Sequence, residues 1–288
     1  MKTITIKRFF ITALVIMLAS AVIWPGIQNT RESLAAHVFS APPVNTGAIE
    51  IPVLMYHKVN SNRRTGGPGI RVTPARFERQ MRYLANNGYH TVSLTDLVAF
   101  IEKNEALPPR PVVITFDDGY LDNYRHAFPV LKKYGFTATI FVVANYVGKT
   151  NGFDVRAGLQ PVNQMAGWEE LKQMAGYGIV IGSHTMDHPS LTRLSLSKAR
   201  YQIENSKSVL EERLGRPVEV FSYPYGSYND RLAQMVKEGG YLASVTTDQG
   251  LVTHNSNPYV LKRIRILGAY DMQRFVQELE SSRWPSAK

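Results

Sequence analysis

The sequence predicts an α/β fold: a distorted (β/α) barrel with seven or eight parallel strands, in a single domain. Three observations carry that prediction. Short apolar runs such as Val112 to Phe116 are rich in β-branched residues and lack polar alternation, as expected of strands buried on both faces. Helical stretches alternate with these runs along the whole regular part of the chain. No glycine-rich phosphate fingerprint follows the first strand, which counts against an open dinucleotide-binding sheet.

The elements follow in order. Ile51 to Tyr56 reads as the first strand. Thr73-Pro74 then opens a helix by N-cap and N1 chemistry, with Phe77, Met81 and Leu84 on one face and Gly88 at its end. Thr91 to Leu94 reads as a strand and Asp96 as the start of a helix. After the strand Val112 to Phe116, Asn123 to Tyr134 is helical and stops at Gly135. Thr137 to Val143 is a buried strand, and a helix near Trp168 to Ala175 precedes the strand Ile179 to Gly182. A long helix capped by Ser195 or Ser197 runs to Leu214. Val218 to Tyr223 is a strand, Asp230 to Glu238 a helix and Tyr241 to Thr246 a strand. Leu261 to Leu267 and a last helix from Asp271 close the domain.

With 288 residues and 44% hydrophobic content, the chain can bury a full core. Three segments are expected: residues 1–25 as a signal peptide or membrane anchor, 26–48 as a linker, and 49–288 as the folded domain. Lys2, Lys7 and Arg8 precede an apolar run from Phe9 to Trp24, the pattern of an export signal. At about 16 residues the run is short for a spanning helix, which needs ~20. Ala19-Ser20-Ala21 offers a cleavage site, yet Val22, Ile23 and Trp24 continue the run, so an uncleaved anchor stays open beside a cleaved peptide. Either way the domain is expected outside the cytoplasm, secreted or held on the outer face of the cytoplasmic membrane.

Cysteine is absent, so an exported fold has no disulfide framework, and any metal site must use histidine and carboxylate ligands. The formal charge of +10 falls to about +7 once Lys2, Lys7 and Arg8 are set aside. The basic residues are scattered, with no stripe interleaved with aromatics, which argues for a solvated surface and against nucleic acid.

In a (β/α) barrel, chemistry sits at the C-terminal ends of the strands. Polar groups recur at that end of four strands: His57, the pair Asp117-Asp118, His184, and Tyr225. Asp117-Asp118-Gly119 alone is also a common turn signal. His184-Thr185-Met186-Asp187-His188 puts two of only seven histidines four apart, the spacing that lets two imidazoles face one metal. Pro189 makes this a loop and not a continuing helix. Phe221-Ser222-Tyr223-Pro224-Tyr225-Gly226 sets aromatics around Pro and Gly, suited to a groove wall for sugar rings, or to a packed turn.

Together and in this order, the three elements resemble the polysaccharide deacetylases (NodB-homology, carbohydrate esterase family 4) over about residues 50 to 281. The resemblance implies that Asp117 is the catalytic base, that Asp118, His184 and His188 ligate a divalent metal, and that Tyr225 supplies a backbone oxyanion donor. Tyr223 and Pro224 would bind substrate beside it. The opening Pro52-Val53-Leu54-Met55-Tyr56-His57 resembles the subgroup containing poly-β-1,6-N-acetylglucosamine deacetylases, in which the barrel is circularly permuted; this implies His57 as the catalytic acid. Two departures stand out. Ser222 takes the place of the family's base-orienting arginine, leaving Arg263 and Arg265 as candidates. No late Leu-x-His motif is present, because Leu251 and His254 are wrongly spaced.

Two histidines and a carboxylate suit Zn²⁺ best, with Co²⁺ or Ni²⁺ able to substitute. The expected reaction is hydrolysis of N-acetyl groups from an N-acetylglucosamine-containing polysaccharide of the cell surface or its surroundings, with the membrane a partner only through an uncleaved N-terminus. Two alternatives remain at this level: a catalytically weak carbohydrate-binding module, favoured by the missing arginine, and a metal-dependent O-acetyl esterase. Loops Arg63–Ile70 and Gly148–Gly167 are long enough to cover the strand ends. The polymer and the oligomeric state are not legible in the chain.

Overall fold

The computed structural model describes residues 49–280. The expected signal or anchor, the linker and the last eight residues lie outside the described residues. Among the described residues ten strands follow one another: β1 (Val53–Tyr56), β2 (Lys58–Val59), β3 (Arg71–Val72), β4 (His90–Thr91), β5 (Pro111–Phe116), β6 (Thr139–Val142), β7 (Val180–Ser183), β8 (Val220–Ser222), β9 (Ala243–Gln249) and β10 (Leu261–Arg265). Eight α-helices lie between or after them: α1 (Pro74–Asn86), α2 (Leu94–Lys103), α3 (Phe128–Tyr134), α4 (Gly152–Arg156), α5 (Trp168–Tyr177), α6 (Leu196–Leu214), α7 (Asp230–Glu238) and α8 (Met272–Glu280).

Seven parallel strands close into a barrel. β1 pairs with β10 on one edge (Leu54 opposite Ile264) and with β5 on the other (Val53 opposite Val113). β6, β7, β8 and β9 complete the ring, and β4 joins the first residues of β5 as an eighth strand outside it. β2 and β3 form a separate parallel pair. This is the distorted (β/α) barrel that the alternation of strands and helices predicts.

Two local expectations are corrected. Thr91 to Leu94 is not one strand: pairing stops at Thr91, and Ser93 caps α2 in a reciprocal capping box with Asp96. Asp96 is therefore the third residue of the helix and not its start. The helix expected over Asn123 to Tyr134 is split into a π-helical turn (Asn123–Ala127) and α3. Pro129, which has no N–H to give the preceding turn, accounts for the break. At α1 the Thr73 hydroxyl accepts the Arg76 amide, Pro74 occupies the first turn, and Phe77, Met81 and Leu84 are buried, as the sequence predicts.

Strand alternation sorts the core into two layers. Leu54, Ile114, Ile140, Ile181 and Ile264 pack outward against the helices. Val53, Val113, Phe141, Val220, Val245 and Leu261 turn into the barrel and meet Leu94, Leu97 and Phe100 of α2. Nearly all of these inward residues come early in their strands, so the N-terminal end of the barrel is filled with hydrocarbon. The opposite end holds Thr115, Asp117, Ser222, Thr246 and Arg263, all buried and all polar.

Candidate active site

At the end of β5 the backbone enters the left-handed region twice in succession, at Asp118 (φ 73°) and Gly119 (φ 81°). That sharp turn sends the two neighbouring carboxylates to different partners. Gly119 suits this turn because L side chains rarely adopt its positive φ. Among the described residues, six non-glycine residues have positive φ, and Asp118, Thr185, His188 and Tyr225 are four of them. Such strain is expected where surrounding structure holds functional groups in place.

Asp118 Oδ1 lies 3.5 Å from His184 Nε2 and 3.4 Å from His188 Nε2. The three ligand-type atoms all fall within 4.8 Å of one another, and all three residues are buried. Tetrahedral ligands at Zn–N and Zn–O distances of about 2.0–2.1 Å are separated by roughly 3.3–3.4 Å, so the two Asp118–His contacts match the edges of such a site. His184 Nδ1 lies 2.7 Å from the Ser222 carbonyl oxygen, which leaves the Nε2 lone pair facing Asp118. The residues present therefore fit a divalent ion with open positions.

The electrostatics agree with this fit. Burial opposes ionisation of Asp118, yet the imidazoles of His184, His188 and His57 around it hold its carboxyl far below the usual range. Burial, with His184 beside it, pushes the His188 imidazole down to about 3, so it is a neutral ligand at neutral pH. Burial also opposes a charge on His184, but Asp118 and Asp117 more than offset it and raise its pKa.

Asp117 takes the other direction. Both its oxygens are gripped by the Arg263 guanidinium, Nη1 to Oδ1 at 2.8 Å and Nη2 to Oδ2 at 2.7 Å. Arg263 is fully buried and is further fixed by Nε to the Thr246 carbonyl (2.7 Å) and Nη1 to Thr115 Oγ1 (3.1 Å). Burial alone would raise the Asp117 carboxyl; Arg263 brings it below the ordinary value. Ser222, where an arginine is missing from the third motif, donates its hydroxyl to the same carboxylate at 3.4 Å. A guanidinium thus reaches Asp117 from β10 instead. Period-two alternation puts Leu261, Arg263 and Arg265 on one face of β10, at the filled end, beside Asp117 and at the open end in turn.

A cavity of about 320 Å³ opens above these groups, lined by His57, Asp117, Asp118, His184, His188 and Tyr225 among others. His57 is half-buried at the end of β1, and burial holds its imidazole below the ordinary value despite the nearby carboxylates. Tyr225 packs against His188 with ring centroids 4.7 Å apart. Tyr223 and Pro224, expected on the groove wall, are buried and do not line the cavity. Tyr223 points into the helix-side layer, its hydroxyl donating to the Tyr259 carbonyl at 3.1 Å. His254 packs edge-on against Phe100 of α2, at the filled end of the barrel.

Two cavity residues escaped the sequence reading: Asp154 of α4 and Gln160, both from the loop Gly148–Gly167. Arg265 of β10, the other candidate for orienting the base, lines the cavity while Arg263 holds Asp117. Asp154 accepts the Tyr120 hydroxyl at 3.1 Å, and burial with the nearby Asp118 charge pushes its carboxyl up to about 6. Lys58 ties both covering loops down: its Nζ donates to the Thr65 carbonyl (2.7 Å) and to Gln160 (3.4 Å), above the Tyr120 ring. Burial pushes this amine down to about 8. The signal for Asp154 was a lone acidic residue in a loop already expected to cover the strand ends.

The chain is similar to several known proteins. A family profile described as polysaccharide deacetylase matches residues 104–244. YxkH of Bacillus subtilis (strain 168), a protein named for this family, is 31% identical over 255 residues, covering 88% of this chain and 83% of its own. The poly-beta-1,6-N-acetyl-D-glucosamine N-deacetylase of Staphylococcus aureus (strain MRSA252) is 29% identical over 204 residues, 68% of this chain and 67% of that one. Among solved structures, the Streptococcus pyogenes deacetylase PplD in complex with acetate superposes with a TM-score of 0.69 at 28% identity, covering 81% of this chain and 99% of that one. IcaB from Ammonifex degensii gives 0.67 at 26% identity, over 82% and 97%. Fold, motif order and relatives over most of the described barrel converge: the chain belongs to the polysaccharide deacetylase family, hydrolases of carbon–nitrogen bonds.

Proposed function

We propose that the chain removes N-acetyl groups from an N-acetylglucosamine-containing polysaccharide outside the cytoplasm, releasing acetate, with a divalent metal, Zn²⁺ by preference, held by Asp118, His184 and His188. One observation carries this reading: the Asp118–His184–His188 cluster, the Arg263-bound Asp117 and His57 all open onto one cavity. The Staphylococcus aureus relative, named for a poly-N-acetylglucosamine substrate, supports the substrate class. The basic residues and apolar run between Lys2 and Trp24 support the location.

When bound, the metal supplies Lewis acidity toward water and the acetamide carbonyl. Asp117, ionised at neutral pH and held by both oxygens, takes the proton released as water attacks; Arg263 fixes its direction. His57 faces the same space from β1 and donates a proton to the departing sugar amine, since an amine leaves poorly without one. Tyr225 walls the cavity above His188, and its backbone N–H is the oxyanion donor in this scheme. The alternative of a catalytically weak binding module rested on the arginine missing at Ser222. Arg263 binds Asp117 from a different strand, which supports the catalytic reading over that one.

The test is acetate release by the full-length, Zn²⁺-supplemented chain from chitooligosaccharide, peptidoglycan and β-1,6-linked poly-N-acetylglucosamine, beside an O-acetylated control. Release from none of the N-acetylated glycans, or from the O-acetyl control alone, contradicts the proposal. Because burial lowers the His57 pKa, the rate is expected to decline as pH rises above the His57 value. His57→Ala should cut the rate by about 10²-fold or more and flatten that alkaline decline; a wild-type profile in the variant removes His57 from the mechanism.

A further inference from the structure

The cavity over the metal cluster continues along the surface. Leu159, His188 and Tyr225 also line an adjoining cavity of about 530 Å³. That one shares Pro189 and Leu194 with a third of about 290 Å³ against α6. Shared side chains make the three contiguous, a path from Asp118 across Tyr225 to Tyr201. Both tyrosines are about half exposed along it, at 47% and 50%, offering flat rings with a polar edge of the kind that pack against sugar faces.

Beyond the metal cavity the path carries two exposed cations and one carboxylate. In the middle cavity Arg193 is the single formally charged residue among the described lining residues, and it is exposed. In the third, Lys198 is exposed as well. Neither cation has a hydrogen-bond or ion-pair partner for its side chain among the described residues. The one carboxylate there, Asp187, keeps its charge, but its two oxygens are held by the Asn145 and Gln202 side-chain amides, each at 2.7 Å, and not by Lys198. The elements that present the two cations, Leu191–Arg193 and α6, directly follow the His188 loop, so the path is built onto the metal site itself.

We propose that this path is a distal binding site for the glycan chain, and that Arg193 and Lys198 select chains bearing carboxylate groups beyond the sugar being hydrolysed. One cation per cavity suits single charges repeated along a polymer. A neutral homopolymer gains only the tyrosine contacts. A chain already deacetylated carries ammonium groups, which the same cations repel, so the path favours acidic, unprocessed glycan and releases product. The inference rests on the deacetylase reading for its substrate, but binding tests it separately from turnover.

The experiment compares peptide-free peptidoglycan strands, which carry lactyl carboxylates, with the same strands after conversion of those carboxylates to amides. Binding to the full-length chain is expected to favour the acidic strands about tenfold at low salt, with the preference shrinking at high salt. Arg193→Glu combined with Lys198→Glu should erase the preference and raise KM for acidic strands about tenfold, with kcat within twofold. Tyr201→Ala should weaken both strands alike. Equal binding of the two strands by the wild type, or a preference that survives the double reversal, overturns the proposal. Absence of acetate release from strands that still bind selectively would sink the deacetylase reading and leave this one standing.

Discussion

The two ends of the barrel are built from the same strands and obey opposite rules. At the N-terminal end, inward side chains such as Val53, Val113 and Leu261 meet Leu97 and Phe100 of α2, an apolar fill. At the C-terminal end the same strands bury Arg263, Asp117 and Asp118, with two histidines beside them. Hydrocarbon there would be the safer choice, since each buried charge must be paired to be tolerated. The difference teaches where stability and chemistry reside. The apolar end needs only volume, and the polar end needs every partner in place.

The largest test of that contrast is Arg263→Met. It leaves Asp117 buried and unpaired, so stability should fall by about 3–5 kcal/mol in urea unfolding. Acetate release should drop on the order of 10²–10³-fold, because the base loses its orientation. A stable, active variant would mean that Ser222 alone orients Asp117. Leu97→Ala sharpens the other side. It should cost about 2–5 kcal/mol by leaving a cavity, while acetate release per folded molecule stays within twofold. A large loss of kcat with little loss of stability would show that the two ends are coupled.

A smaller effect falls on the loop wall. The folded pKa of Asp154 is raised to about 6, above the unfolded carboxyl, so the native state holds an extra proton between roughly pH 4 and 6. Any stability from this group is present below that window and is lost as pH rises through the folded pKa. Asp154→Asn should therefore stabilise the chelator-treated protein at pH 7 by about 1–3 kcal/mol relative to its effect at low pH. Thermal unfolding of both proteins across that range checks this, and a constant difference at all pH values would contradict it.

Much of this was legible because the relevant signals are local. Thr73-Pro74 announces α1, and β-branched runs announce buried strands. Asp118, His184 and His188 stand directly after such strands, so the sequence brings them to one end before any distance is known. Arg263 was less visible. It takes part through a bidentate contact with Asp117, 146 residues earlier in the chain, and only alternation with Leu261 places it inside the barrel. Tyr223 was misread for the same reason in reverse: alternation turns it toward the helices, and an aromatic next to a motif is not thereby in the site. Asp154 could not be chosen from sequence, because nothing local fixes how the loop Gly148–Gly167 folds over the strand ends.

The central claim is that the polar end of the barrel is a metal-dependent deacetylase site, and metal titration tests it most directly. The full-length chain, stripped with a chelator, should release no acetate from an N-acetylated glycan and should regain activity with one equivalent of Zn²⁺. Asp118→Ala should bind no stoichiometric metal and stay at least about 10³-fold below wild type, a loss of ~4 kcal/mol in transition-state stabilisation. Undiminished acetate release from the stripped protein, or full activity in Asp118→Ala, would contradict the account.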